Sequence, residues 1–460
     1  MDPAAPQATP SLDATAAPSA APESAPSPSL DATSAPSAAP ESTPPAALEP
    51  APPALMPRVV TVKPGHVQPL WAGHPWVFQQ AVDRHDDGIE AGDDVLVADP
   101  NGKILGRGLC APKSAIAVRL FTSRGTEAVD AALFRRRIEA AIQLRRAIGL
   151  PDESDATKTT GYRLVHGEGD GLPGLIVDKF DDVLVVQLGT LGLKRREADI
   201  VGALVELCQP RVILDRTPKS LAKSEGFDVD GNEPRVLHGE LPDTLSFHEL
   251  GLRYELPLAL AQKTGFYFDQ RPLRRFVASV SGGKCVLDAF TYSGAIGLNA
   301  AEGGASRVWG VDKSEPAVLT ATHTAALNGH AEVAAFEVMD ANVAFKKAAA
   351  DGGFDLVVCD PPKLATGRKV RDEALHAYRK LAAGACQAAR TGGLVAICSC
   401  SGSVSSELLQ RCLALGARDV GRRAIVVERL YQGGDHPVPA AFPDGLYLKV
   451  LVARVEALTP

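Results

Sequence analysis

The chain has 460 residues, 45% of them apolar and 22% charged, with a formal net charge of -7. That length calls for two or three domains rather than one core, and no apolar run reaches the roughly 18 residues of a membrane span. The negative balance does not exclude a nucleic-acid partner: residues 1–57 carry Asp2, Asp13, Glu23, Asp31, Glu41 and Glu49 and no Lys or Arg, leaving a near-neutral body that can present a local basic face.

The N-terminus lacks the basic start and apolar core of a secretory signal, so a cytoplasmic location is expected. Residues 1–57 contain fifteen prolines and a near-perfect repeat, SLDATAAPSAAPES from Ser11 and SLDATSAPSAAPES from Ser29. Too little apolar bulk is present to offset ordering entropy, which predicts a disordered, partly extended tail. No function is assigned to it.

From Arg58 the runs VVTVKPG, HPWVF, DDVLVAD, ILGRGLCA and IAVRLFT are β-rich and punctuated by turn residues. Asn101-Gly102 reads as a hairpin turn. A small all-β barrel over 58–124 is predicted. Glu127 to Ile148 has helical spacing, with Phe134, Ile138, Ala141, Ile142 and Ile148 on one face. Arg135, Arg136, Arg137, Arg145 and Arg146 line much of the remainder. A solvated face is the simpler reading, and contact with an RNA backbone is the alternative. Strands YRLVHGEGDGLPGLIVDKF and VLVVQLG, a helix near Glu197–Leu207 and the run VILDRT complete a small α+β unit over 125–244.

Over 245–460 strands alternate with helices: KCVLDAF, RVWGVD, AAFEVMD, FDLVVCD, GLVAICSCS, AIVVERLY and GLYLKVLVARV, with helices such as Glu315–Asn328 and Asp372–Ala389 between them. Apolar strands separated by helices predict a mostly parallel, doubly wound α/β sheet covered on both faces. The last two strands lack a long helix between them, so the final strand is expected to be antiparallel.

Ligands in such sheets bind beyond the carboxyl ends of the strands. The first strand ends at Asp288 and runs into a helix opened by Gly294 and Gly297, where the backbone can approach a ligand. The second ends at Asp312, followed by Ser314, in the place of an acid that accepts from both ribose hydroxyls. The third ends at Asp340, placed to accept from an adenine amino group. Strand-end aspartates also cap helices, but three in succession point to a nucleoside. The fourth strand ends in Asp360-Pro361-Pro362. The two prolines force a rigid extended segment that holds the Asp360 carboxylate toward the pocket, where it can bind a nucleobase edge.

The fifth strand ends in Cys398-Ser399-Cys400. Cytosine carbon 5 is a poor nucleophile until a thiolate adds at carbon 6. Such a thiol belongs across the pocket from Asp360. Cys398 and Cys400 share one strand face, and Cys400 lies nearer the open end, which makes it the candidate nucleophile. Core packing of both thiols and a nucleophilic Cys398 are the rival readings. The remaining cysteines are scattered and form no C-x-x-C pair, so no metal site is expected.

The segments KPGHVQPLWAGHPWVF, GEGDGLPGLIVDKF, QKTGFYFDQR, DAFTYSG, DPPK, CSCSG, and DHPV with GLYLK occur in one order across about 400 residues. In this the chain resembles the bacterial 23S ribosomal RNA cytosine-5 methyltransferases with an N-terminal PUA domain. The resemblance implies a PUA barrel, an α+β middle domain and a Rossmann-like methyltransferase domain with a seven-stranded sheet. It implies S-adenosylmethionine as cofactor, held by Phe266, Gln270, Arg271, Asp288, Phe290, Tyr292, Gly294, Asp312, Ser314, Asp340 and Asp360. The implied nucleophile is Cys400, with Asp360 as the second catalytic residue. Large-subunit ribosomal RNA is the implied partner, and a homodimer fits the family. The PUA signature falls on His74, Pro75 and Trp76; Trp76 reads as a core residue before a base-stacking one. Cys359 and Cys398 depart from the arrangement of other RNA cytosine-5 enzymes and are read as packing; the tail lies outside the family pattern. Methylation of a guanine or adenine nitrogen, and a non-catalytic ribosome-assembly factor, are the alternatives.

Overall fold

The computed structural model describes residues 57–229, 234–260, 264–364 and 371–458. The expected N-terminal tail lies outside them but for Pro57. All the described residues belong to one compact unit, Met56–Pro460.

The first module is a six-stranded sheet of β1 (Val59–Val62), β2 (Trp76–Phe78), β3 (Val82–His85), β4 (Asp94–Ala98), β5 (Ile104–Cys110) and β6 (Ile116–Thr122), in the order β2-β6-β5-β4-β1-β3. The β4–β5 turn follows from its sequence. The Asp99 carboxylate accepts from the backbone N–H groups of Asn101 (2.8 Å) and Lys103 (2.9 Å), and Gly102 takes φ +84°.

The helix Ala131–Ala147 begins four residues after Glu127, because Asp130 is its N-cap and accepts from Leu133 N at 2.9 Å. Its apolar face, Leu133, Phe134, Ile138 and Ala141, is buried. One expectation about this helix is corrected. Arg145 is neither solvated nor available to RNA: it is 1% exposed and forms a bidentate pair with Asp170 at 2.6 and 2.8 Å. A buried guanidinium persists only when paired in this way. The strands β7 (Gly161–His166), β8 (Leu175–Phe180), β9 (Val183–Leu188), β10 (Val212–Asp215) and β11 (Arg235–His238) form a second sheet ordered β11-β10-β9-β8-β7. A hairpin of β12 (Thr244–Glu249) and β13 (Leu252–Pro257) follows.

The third module is a seven-stranded sheet: β14 (Cys285–Ala289), β15 (Arg307–Asp312), β16 (Ala334–Val338), β17 (Phe354–Cys359), β18 (Ala389–Ser399), β19 (Arg422–Leu430) and β20 (Lys449–Ala457). Their order is β16-β15-β14-β17-β18-β20-β19, with β20 antiparallel to both neighbours, as expected from the missing helix. Side chains alternate between two cores. Val286, Leu356, Val358, Ala396 and Cys398 enter one, while Leu287, Val357, Cys359 and Ile397 enter the other. The first core also takes in Phe180, Val185, Phe247 and Tyr254, which welds the middle module and the hairpin to the large sheet.

Strand order reverses between β14 and β17, so a crevice opens beyond their carboxyl ends. Gly310, the partner of Asp288 across β14 and β15, lets the Phe336 ring lie flat against the sheet there. A Cβ on it would stand 2.3 Å from that ring.

Candidate active site

The crevice is lined by strand ends, and each acid is fixed by local backbone. The Asp288 side chain is fully buried; its Oδ2 accepts from Thr291 Oγ1 (2.6 Å) and Gly297 N (2.9 Å). Burial nevertheless pushes its pKa up to about 6. Phe290 and Tyr292 follow with φ of +65° and +50°, left-handed values that cost a side-chain-bearing residue energy and cluster at binding sites. Gly294, at φ +81°, caps the next helix, and a Cβ there would stand 2.8 Å from Ala321.

Asp312 accepts from Tyr292 N (3.0 Å) and Ser314 N (2.9 Å), tying β15 to the loop after β14. Ser314 caps the helix Glu315–Leu327. Asp340 caps Ala341–Ala350 through Asn342 N and pairs with Lys313 at 2.7 Å, which holds its carboxyl below the usual range. The Tyr292 hydroxyl donates to Gly265 O (3.1 Å) and its ring meets that of Tyr267 edge-on at 5.5 Å. This fastens the Gly265–Gln270 segment beside the pocket.

Asp360 follows β17, where Gln270 Nε2 donates to its Oδ2 at 2.8 Å. Its carboxyl is half-buried yet hemmed in by protein atoms. Burial first, then the charges of Asp269 and Asp288, push its pKa up to about 7. The linkage has a definite sign. From pH 3.8 up to about 7 the unfolded chain has lost a proton that the folded chain keeps. Stability therefore falls as pH rises through that window, by at most ~1.4 kcal/mol per unit. Asp360→Asn should remove this contribution, most clearly between pH 6 and 7, where Asp288 has already ionised. Denaturant midpoints of both proteins across the window check it, and parallel slopes would assign the titration elsewhere.

On the neighbouring strand Cys359 pairs with Ile397, so the Cys398–Cys400 segment runs alongside Asp360. The structure separates the two thiols. Cys398 is fully buried in the core, and burial drives its pKa well above the ordinary thiol value. Cys400 is only partly buried, packed against the rim of that core. The side chain of Cys359 is also fully buried.

Phe266 and Arg271 stand differently from the direct cofactor contact that the resemblance implies. Phe266 is 4% exposed within a ring cluster of Phe247, Tyr254 and Phe268. Arg271 reaches Glu249 Oε1 (3.0 Å), Asp435 Oδ2 (3.0 Å) and Gly161 O (3.0 Å), so all three of its nitrogens are taken within the protein. A buried guanidinium needs fixed counter-charges, which engages Arg271 within the protein, while Phe266 is held by ring packing.

Sequence reasoning missed these internal contacts. Glu249 also receives Arg274 Nη2 at 2.7 Å; the Tyr447 hydroxyl donates to Asp269 Oδ2 at 2.6 Å; Arg163 pairs with Asp178 at 2.7 Å. Lys449 is buried and donates through Nζ to Ser401 O (3.0 Å) and Tyr447 O (2.9 Å), which sets an ammonium beside the peptide that follows Cys400. The DHPV and GLYLK segments signalled Asp435, Tyr447 and Lys449 without revealing their roles. Glu249 carried no signal. Trp76 is part-buried, donating to Glu168 Oε1 at 2.9 Å and packing on Phe442 at 4.6 Å, so it bridges the first module to the others.

Asp269 Oδ1, Gln270 Oε1, Asp288 Oδ1 and Ser293 Oγ are buried without a hydrogen-bond partner. Each such atom costs about 1–3 kcal/mol unless satisfied. Their clustering around the β14 crevice fits a ligand rich in hydrogen-bond donors.

Comparisons with known proteins bear on which ligand. Residues 60–123 match the model of a PUA-like domain, and residues 163–449 match that of an S-adenosylmethionine-dependent methyltransferase. Two relatives called ribosomal RNA large subunit methyltransferase I are similar over nearly their whole length. The Shewanella denitrificans protein is 38% identical over 409 residues, covering 86% of this chain and 99% of the relative. The Alteromonas mediterranea protein is 35% identical over 401 residues, with 86% and 98% covered. A Streptococcus mutans structure assigned as a SAM-dependent methyltransferase superposes with a TM-score of 0.72 at 19% identity, covering 86% of this chain and 99% of its own, and shows the same fold. Another structure with the same TM-score, identity and coverage was solved in complex with SAH. The residues here fit S-adenosylmethionine: its ammonium, amino and ribose hydroxyl groups are donors of the kind the unpaired oxygens lack. With its PUA-like domain, its doubly wound sheet and a switch-point crevice suited to that cofactor, the chain belongs to the ribosomal RNA large subunit methyltransferase I family of S-adenosylmethionine-dependent methyltransferases.

Proposed function

We propose that this enzyme methylates carbon 5 of a cytosine in large-subunit ribosomal RNA through a covalent adduct on Cys400. The observation that carries the reading is the contrast at the end of β18. One thiol is sealed in the core, and the other stands at the rim, just past the end of the strand that neighbours the one leading to Asp360. The RNA substrate follows the relatives' names.

The chain's own groups can do the work. The Cys400 thiolate adds to carbon 6, and the electron pair of the 5,6 double bond is taken up toward ring nitrogen N3. Asp360, protonated near neutrality, donates its proton to N3 as that charge develops. Lys449 Nζ donates to Ser401 O, which fixes the peptide that follows Cys400. S-adenosylmethionine supplies the methyl group as an electrophile. Carbon 5, now enamine-like, takes the methyl as N3 returns its proton to Asp360. Solvent water then accepts the carbon 5 proton, and the freed pair restores the 5,6 double bond and expels the thiolate. Asp288, Asp312, Ser314 and Asp340, with Gln270, Phe290, Tyr292 and Gly294, form the cofactor wall, while Phe266 and Arg271 are engaged within the protein.

Incubation with cofactor and an RNA containing 5-fluorocytosine tests the step. Fluorine cannot leave as the proton does, so a protein–RNA adduct that survives denaturation is expected, with Cys400 as the attachment point. Product methylated on a ring or amino nitrogen, with no adduct, would instead establish the nitrogen-directed chemistry.

A further inference from the structure

The seam between the first module and the helix Ala131–Ala147 holds a recess of about 360 Å³ lined by Thr122, Ser123, Arg124, Glu127, Arg136 and Arg137. Its charges do not cancel. Glu127 is the single acid in the lining, and it is engaged by the Thr122 hydroxyl and by Arg136 at 2.8 Å. Arg137 donates to a backbone carbonyl, Phe121 O, at 3.1 Å. Among the described residues neither Arg137 nor Arg124 forms a direct ion pair with a carboxylate, although the Arg137 charge also acts on Glu127, and Arg124 is exposed. Two other arginines of the helix are paired: Arg135 with Glu139 and Glu206, and Arg145 with Asp170; Arg146, outside the recess, is exposed. An ordinary solvated face disperses or pairs its charges. Here two consecutive elements, the loop after β6 and the helix it leads into, bring surplus guanidinium groups to one hollow.

We propose that this recess holds a phosphodiester of the substrate RNA, outside the methyl-transfer crevice. The inference rests on the reading of an RNA substrate. Guanidinium forks match paired phosphate oxygens. The lining contains no aromatic ring on which a base could stack, so the contact positions the strand without reading its sequence. Arg137 also covers Gly171, where a Cβ would stand 3.2 Å from its Nη1.

The test is a titration of fluorescent large-subunit ribosomal RNA fragments with the full chain at several salt concentrations. Arg124→Gln is exposed and lacks a partner, so it leaves the fold untouched; Arg137→Gln is the second variant, and Arg423→Gln, on β19, is the control. Each recess variant should weaken binding severalfold on every fragment and flatten the slope of log affinity against log salt by about 1. Affinity for S-adenosylhomocysteine should stay at the wild-type value. Inorganic phosphate should compete only weakly, since a single free anion lacks the rest of the strand; competition as strong as unlabelled RNA would make the recess a site for small anions and overturn the proposal. If wild type binds RNA and both variants bind it with the slope of the control, the recess is refuted while the RNA reading stands. If wild type binds no RNA at all, the RNA reading fails and takes the recess with it.

Discussion

Cys400→Ala is expected to lower methyl transfer to RNA by at least about 10³-fold, the scale of losing a covalent nucleophile. Affinity for S-adenosylhomocysteine should be nearly unchanged, because the unpaired acceptors that fit the cofactor, on Asp269, Gln270, Asp288 and Ser293, belong to the Gly265–Gln270 segment, β14 and the loop after it, not to β18. Cys398→Ala should behave in the opposite way. It removes a fully buried sulfur from the core, so it costs stability on the order of 1 kcal/mol and leaves the chemical step intact. Single-turnover transfer of a labelled methyl group, read beside cofactor binding, separates the two. Wild-type turnover by the Cys400 variant would overturn covalent catalysis.

Glu249→Ala is expected to be the most destabilising of the substitutions considered, by about 3–5 kcal/mol. Glu249 is 0% exposed and accepts from Arg271 and Arg274, themselves 4% and 1% exposed. Truncation leaves guanidinium charge in the interior: Arg271 retains Asp435, but among the described residues Arg274 keeps the Tyr267 carbonyl at 3.1 Å and the Phe266 ring at 4.8 Å and no carboxylate. The loss should show as a fall of the thermal midpoint by roughly 10 °C. It should also weaken cofactor binding, since the same helix begins directly after Gln270, which holds Asp360. A midpoint within ~1 °C of wild type, against the shift expected here, would mean the pair is not what secures this helix.

Sequence periodicity alone determined the elements of the large sheet. All seven strands, the antiparallel last one included, follow from apolar runs with or without an intervening helix; the central strands are covered on both faces and so have no polar alternative, whereas the edge strands β16 and β19 are partly exposed. The strand-end acids Asp288, Asp312, Asp340 and Asp360 were legible for the same reason: doubly wound sheets present ligands to those ends, and each acid stands where its strand pattern stops. The start of the first long helix was legible only to within a turn, since Asp130 decides it by a single cap.

Only the tertiary structure decided what burial decides. Cys398 and Cys400 alternate alike in the sequence, which favours Cys400 only by its place nearer the open end; packing separates them, closing Cys398 over in the hydrophobic core and leaving Cys400 at its rim. Arg145 and Arg146 are neighbours in a basic run, yet one is buried against Asp170 and the other is exposed. Arg271 meets Glu249 and Asp435 across sequence separations no local pattern can encode. Charge in a protein interior depends on which partner the fold brings within hydrogen-bond reach, and that is a property of packing rather than of spacing.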